Sequence, residues 1–327
     1  MEAEISDNRG FFQALIGDGR PLLSFTGLCL ILSGGFALMQ SATGHFLPHD
    51  VQYLGMTARE LCSFNQCKVV HFMFHDRVSF GGAITGIGIM YLWLAEFPLE
   101  QRQPWAWWVF ALSGAAGFAS FLSYLSYGYL DSWHGVATLV LFPCFVIGMV
   151  LSWRTLERPR TVKCLLRPEI PIAWRMSFDI GRNLLLAVSF GLMCAGLVIL
   201  TVGATIVFVP TDLTFMGLDR AQLQAINPHL IPLIAHDRAG FGGGVCSGGL
   251  ALFLCVWCGK PTRNWWQALL VAGLVGFSTA IAIHPVIGYT NSIHLAPAYS
   301  GAVLWALGLF LTYRRCFGDI SSRNNGL

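Results

Sequence analysis

The chain has 327 residues, of which 55% are hydrophobic and 11% charged, with a formal net charge of +3 and a mean hydropathy of +0.60. Soluble domains carry about 25% charged residues, so this composition excludes an ordinary soluble domain. It also excludes a nucleic-acid binder, because no basic face with interleaved aromatics occurs.

Residues 1–20 are mixed in charge and lack the basic start of a secretory leader, so the apolar run at 22–40 is retained as the first of about eight spans. A long loop at 41–77 follows. It carries Pro48, Asp50 and Gly55, then Thr57 and Glu60 at capping-box spacing, then Cys62 and Cys67. A disulfide closing that small loop, or a redox-active pair, fits a loop that faces an oxidising compartment. At the loop's end stands His75-Asp76-Arg77-Val78-Ser79-Phe80-Gly81-Gly82, and its Phe-Gly-Gly opens the span at 78–95. Spans at 105–126 and 134–152 complete the first half. Between them lies Gly128-Tyr129-Leu130-Asp131-Ser132-Trp133-His134. Residues 153–182, rich in Arg and Pro, form a basic linker.

The second half then repeats the first at a distance of about 160 residues. After a span at 183–209, the loop at 210–238 carries Pro210, Asp212 and Gly217, with Asp219 and Gln222 at capping-box spacing. His236-Asp237-Arg238-Ala239-Gly240-Phe241-Gly242-Gly243 matches the first octapeptide at six of eight positions. Spans follow at 239–258, 265–283 and 293–313, and Gly288-Tyr289 with His294 answers Gly128-Tyr129 with His134. Trp105, Trp107, Trp108, Trp265 and Trp266 read as an interfacial aromatic belt. Cys255 and Cys258 form a lone C-x-x-C, which is weak as a zinc motif.

The fold class expected is an all-α integral membrane protein of about eight transmembrane helices in two parallel four-helix repeats. Residues 1–152 form the first repeat, 153–182 the cytoplasmic linker, and 183–327 the second repeat and tail. An even number of helices per repeat gives both the same orientation, related by an axis along the membrane normal. Lys and Arg placement sets that orientation. Arg9, Arg20, Arg102, the run from Arg154 to Arg182, Lys260, Arg263, Arg314, Arg315 and Arg323 fall on one side. Arg59, Lys68, Arg77, Arg220 and Arg238 fall on the other. Both termini are therefore expected in the cytoplasm, in the inner (cytoplasmic) membrane of the cell, with the repeated polar residues towards the outer face.

The polar set kept in both repeats is the candidate site: His75, His134, His236, His294, Arg77, Arg238, Asp76 and Asp237. Three readings stay open. The histidines and aspartates cap helix ends, or the histidines hold a metal or haem iron, or His-Asp pairs relay protons or ions. Arg77 and Arg238 either neutralise the neighbouring aspartates or anchor an acidic group such as a haem propionate or a lipid or quinone headgroup. His71 and His284 are not repeated, Pro232 and Tyr124 standing at the equivalent positions, and read as local hydrogen-bonding groups.

Eight helices in two halves, with one histidine on the second and one on the fourth helix of each, resemble the heme A synthase family. His75, His134, His236 and His294 match those positions, and Cys62 with Cys67 matches a cysteine pair that bacterial members carry in the first outer loop only. In that family the histidine is followed by Arg, whereas Asp76 and Asp237 intervene here. The resemblance implies haem as cofactor and a membrane oxidoreductase with a redox or membrane protein partner. It implies His75 with His134, and His236 with His294, as axial pairs, and Arg77 and Arg238 as propionate anchors. The rival classes are a proton- or ion-coupled transporter using the same His-Asp pairs and a non-catalytic assembly factor.

Overall fold

A computed structural model describes residues 10–122, 129 and 132–318, and these are helical with no strand among them. In chain order the helices are α1 (Phe11–Ile16), α2 (Arg20–Thr43), α3 (Pro48–Leu54), α4 (Ala58–Cys62), α5 (Lys68–Glu96), α6 (Pro104–Leu122) and α7 (Ser132–Thr155). They continue as α8 (Ser177–Ala204), α9 (Pro210–Met216), α10 (Arg220–Ile226), α11 (Leu230–Cys258), α12 (Arg263–Ile287) and α13 (Ser292–Phe317). Seven of them, α2, α5, α7, α8, α11, α12 and α13, are long and apolar enough to cross a membrane. The eighth long helix, α6, has 19 residues. Leu32, Leu139, Val303 and Phe310 point outward and are largely exposed, which is compatible with contact to lipid tails.

Helix starts follow local chemistry. Thr262 caps α12 by accepting from the Trp265 amide at 3.3 Å. Asn291 caps α13 by accepting from the amides of Ile293 and His294, both at 3.0 Å, which puts His294 in the first turn. The second helix of each half begins earlier than its Phe-Gly-Gly suggests. α5 starts at Lys68 and α11 at Leu230, so both His-Asp-Arg triplets lie inside helices. Gly81, Gly82, Gly242 and Gly243 are interior residues that permit close packing rather than marking a start.

The contacts of one half recur in the other. α2 packs along α5 as α8 packs along α11, and α7 lies against α2 as α13 lies against α8. Small residues set these crossings. A Cβ on Gly148 would stand 3.0 Å from the Gly19 carbonyl, and one on Gly308 would stand 2.9 Å from that of Gly181. Contacts between the halves run crosswise: α5 packs on α12, α11 packs on α6, and α5 meets α11 at the centre. Three of the five tryptophans expected as a belt, Trp107, Trp265 and Trp266, also join neighbouring helices. Trp107 donates to Met149 O and Trp266 to Leu309 O, each at 2.8 Å. Trp265 is buried and donates to Cys255 O at 3.0 Å. Cys255 and Cys258 are buried free thiols. The linker packs on the C-terminal end of α11, where Trp257 donates to Leu165 O at 2.9 Å and Arg182 to Val256 O at 3.3 Å.

Candidate functional site

The site starts with two short helices. In α3, Pro48 fills the first turn, where a missing N–H costs nothing. Asp50 reaches back to the Leu47 amide at 3.4 Å, and Gly55, at φ 64°, ends the helix. α9 repeats this with Pro210, with Asp212 accepting from the Val209 amide at 2.9 Å, and with Gly217 at φ 65°. The capping boxes expected at Thr57–Glu60 and Asp219–Gln222 are present, with both reciprocal hydrogen bonds formed. A disulfide joins Cys62 to Cys67 in the first of these loops.

Asp50 and Asp212 are buried, and each caps its own helix while serving an arginine. Arg77 donates through Nη1 to Asp50 at 2.7 Å and through Nε to Asp237 at 2.8 Å. Arg238 donates through Nη1 to Asp212 and lies 3.3 Å through Nε from Asp76. Each guanidinium therefore bridges a loop carboxylate of its own half and a helix carboxylate of the other. The expectation that Arg77 neutralises its neighbour Asp76, and Arg238 its neighbour Asp237, is corrected: the partners are exchanged. Consecutive helix residues point about 100° apart, and here each arginine extends across the α5–α11 contact to the other helix's aspartate, while Asp76 is taken by its other neighbour, His75. Neither guanidinium is left for an external anion as its main partner. Phe46 and Phe72 cover them, with ring centroids 5.6 and 4.8 Å from the respective Cζ atoms.

Gly288 ends α12 in the left-handed region, at φ 78°, and turns the chain so that the Tyr289 amide donates to His284 O at 3.0 Å. This is the work of Gly288-Tyr289. It folds the tyrosine under the helix end and aims its hydroxyl at the loop carboxylate. Tyr289 donates to Asp212 at 2.9 Å, and Tyr129 donates to Asp50 at 2.5 Å. Burial, reinforced by the charge of Asp212, raises the Tyr289 phenol, which keeps its proton.

The histidines assemble across the halves. His75 on α5 meets His284 on α12 and His294 on α13, with ring centroids 4.5 and 5.7 Å away. His236 on α11 meets His134 on α7 at 5.5 Å and Tyr129 at 4.9 Å. The expected pairs, His75 with His134 and His236 with His294, do not form. The cause is the crosswise packing of α5 on α12 and α11 on α6: each second helix leans on the other half's third helix. Gly128 and Asp131 of the Gly-Tyr echo, and Tyr124, lie outside the described residues.

Proton accounting fixes the first cluster. His75 Nδ1 is 2.9 Å from Asp76 Oδ1, and a carboxylate only accepts, so Nδ1 carries the proton. His284 Nδ1 is 2.7 Å from Ala280 O, and the same holds there. Tyr289 has given its one proton to Asp212, so at 3.3 Å it accepts from His294 Nδ1. All three imidazoles are thus tied down through Nδ1. The Nε2 atoms of His75 and His284, both left with lone pairs, face each other at 3.0 Å. One ligand nitrogen from each of His75, His284 and His294 lies within 4.8 Å of the others.

His75 and His284 do not stand as opposite axial ligands of one haem. Two nitrogens 3.0 Å apart, each bonded at about 2 Å, subtend an angle near 95° at the ion. Axial ligands of a haem iron stand on opposite faces of the macrocycle, near 180°. His284, read as a local group because nothing in the first half answers it, is the residue that sequence reasoning missed. The available signal was its place one turn before the repeated Gly-Tyr. Asp50, Asp212, Tyr129 and Tyr289 were visible as echoes, and the fold brings all four into the site.

Comparison with family models, curated proteins and solved structures finds no match for the chain.

Proposed function

We propose that the chain is a multi-pass protein of the cell's inner (cytoplasmic) membrane, with eight spans in two parallel four-helix repeats. Pro104–Leu122 is the eighth span, both termini are cytoplasmic and the His/Asp/Arg site lies towards the outer face. The Lys and Arg distribution supports this orientation. The packing of α6 on α11 supports the eighth span, because α12, which is long enough to cross, packs in the same way on α5. Reporter fusions in the linker and after Leu327 should both read cytoplasmic, and an outside reading at either site overturns the topology.

We infer further that the site is a fixed cofactor centre of a membrane oxidoreductase that works with a redox or membrane protein partner. The observation that carries this is the exchange of arginines. Arg77–Asp237 and Arg238–Asp76 tie the two halves together across the middle of the site. A carrier that rocks one half against the other would strand these buried charges, at about 3–5 kcal/mol for each broken pair. A centre that holds a cofactor needs no such motion. The Cys62–Cys67 disulfide supports the redox reading. It sits directly before α5, about 12 Å of helix from His75. Asn65, Gln66 and Cys67 within its loop all have positive φ, a run that non-glycine residues rarely adopt.

The transporter is the second reading, and one observation favours it. Among the described residues Asp50, Asp76, Asp212 and Asp237 converge on two permanent cations, Arg77 and Arg238, with His49 beside Asp50 and His75 beside Asp76. A transported proton or cation would offset the excess of carboxylates. Optical and electron paramagnetic resonance spectra of the purified protein, oxidised and then reduced, separate the two. A signal that changes with potential supports the oxidoreductase. A redox-silent protein that acidifies or loads vesicles, and loses this in Asp76→Asn or Asp237→Asn, establishes the carrier.

A further inference from the structure

We propose that His75, His284 and His294 form a mononuclear site for a first-row transition-metal ion, one per chain, with a coordination position left open. This rests on the reading of the site as a fixed cofactor centre, and it names the cofactor. With both Nδ1 protons spent on Asp76 and Ala280 O, the Nε2 lone pairs of His75 and His284 at 3.0 Å repel unless a cation lies between them. A proton would relieve that one pair but would leave His294 without a role. An ion at about 2 Å from each nitrogen engages all three, with the first two in adjacent coordination positions near 95° apart. His294, the least buried of the three, closes inward to complete the set.

The surroundings have the form of a built ligand shell. Histidines that bind metal donate their other ring N–H to a carboxylate, a carbonyl or another oxygen, which fixes ring and tautomer. Asp76, Ala280 O and Tyr289 supply one such acceptor each. The first and last are themselves held, Asp76 by Arg238 and Tyr289 by Asp212. Charge agrees. The described carboxylates around the site outnumber its guanidiniums, and a cation held on neutral imidazoles would offset that excess in a place where an uncompensated charge is costly. An all-imidazole set suits zinc, copper, iron or nickel rather than calcium or magnesium, which take oxygen ligands. Three protein ligands rather than four leave a position for water or substrate. The other half has Tyr124 where this one has His284. The arrangement therefore calls for one ion rather than two.

The test uses the full-length protein in detergent, stripped with chelator and titrated with cobalt(II). Visible absorption gives binding, and plasma mass spectrometry gives stoichiometry. We expect one cobalt per chain, an affinity at least 100-fold weaker in His284→Ala, and a 10- to 100-fold loss in Asp76→Asn, where only an outer acceptor is changed. His229→Ala, an exposed histidine bonded to Tyr53 O, should bind as wild type. Copper(II) paramagnetic resonance should count three imidazole nitrogens in the wild type and two in His294→Gln, a readout that holds if an alanine variant folds poorly. A folded wild type that takes up no cobalt or copper overturns the site, as does a His284→Ala protein with an unchanged spectrum. A Soret band in a protein without cobalt binding would keep the oxidoreductase reading and end this one. A bound but redox-silent ion would keep this one and end the oxidoreductase.

Discussion

The cluster around His75 and the cluster around His236 are built from the same parts, yet they differ in what they offer a ligand. Each has a histidine from a second helix, a tyrosine whose hydroxyl donates to a buried aspartate, a histidine from a fourth helix, and an arginine between two carboxylates. The first has His284, and there, among the described residues, three histidines bring ring nitrogens within 4.8 Å of one another. The duplication supplies the scaffold twice. A single unrepeated residue, placed one turn before Gly288-Tyr289, completes the three-histidine cluster of the first. Burial differs as well: the Arg238 side chain is 6% exposed, whereas the Arg77 side chain is 14% exposed.

That difference predicts the largest effect. Arg238→Met leaves Asp76 and Asp212, both fully buried, without their cation and should cost about 3–5 kcal/mol. Arg77→Met should cost less, because Asp50 and Asp237 sit closer to solvent. Thermal unfolding in detergent gives the order, and equal losses would show that the two bridges are equivalent. The triple variant Arg238→Met, Asp76→Asn, Asp212→Asn should recover most of the loss, since it removes the stranded charges along with the bridge.

The sequence already displayed much of this. Apolar runs placed the long helices, and the echo of Pro-x-Asp, Thr57–Glu60 and Gly-Tyr marked helix starts and ends whose chemistry is local. The repeated His, Asp and Arg residues marked the site. The exchange of partners was not legible, for a physical reason. A repeat shows which residues are equivalent but says nothing about which are adjacent. Adjacency here depends on α5 meeting α12 and α11 meeting α6, and glycines at 82 and 243 permit those crossings without specifying the partner helix. His284 was passed over because it breaks the repeat, and a filter for repeated residues discards whatever distinguishes the halves. The helix starts were set too late because Gly-Gly was read as a boundary, although no proline or other helix-breaker stands between Lys68 and Phe80.

The crosswise packing can itself be broken at two equivalent points. A Cβ at Gly82 would run into Thr279, and one at Gly243 into Ser120. Gly82→Ala and Gly243→Ala should each cost about 1–3 kcal/mol by overpacking. Gly82→Ala should cost more, because it meets the branched Cβ and Oγ1 of threonine. Pairing Gly82→Ala with Thr279→Ala should restore unfolding temperature in part, because the Cβ of residue 279, at 2.8 Å, remains. A Gly82→Ala protein as stable as wild type would mean that α5 and α12 are not in contact at this level, and the His75–His284 approach would lose its support.

The smallest effect compares the two capping boxes. In the first, the Thr57 amide donates to Glu60 at 2.7 Å and holds its carboxylate below the ordinary glutamate range. In the second, the residue reaching back is Gln222, at 2.8 Å from the Asp219 amide, and it has no proton to gain. A depressed folded-state pKa contributes stability that is fully present above the unfolded value and is lost as pH falls through the folded one. The first loop should therefore loosen on acidification through the reach-back bond of its box, while the same bond in the second stays. Hydrogen-exchange protection of the amides at 57–62, corrected for intrinsic rates, should hold from pH 7 down to the ordinary glutamate range and drop only as pH falls below it. Glu60→Gln should abolish that drop while keeping the box, because glutamine still accepts from the Thr57 amide. If the drop persists in Glu60→Gln, the pH sensitivity belongs to another group, and the two boxes are equivalent despite their different chemistry.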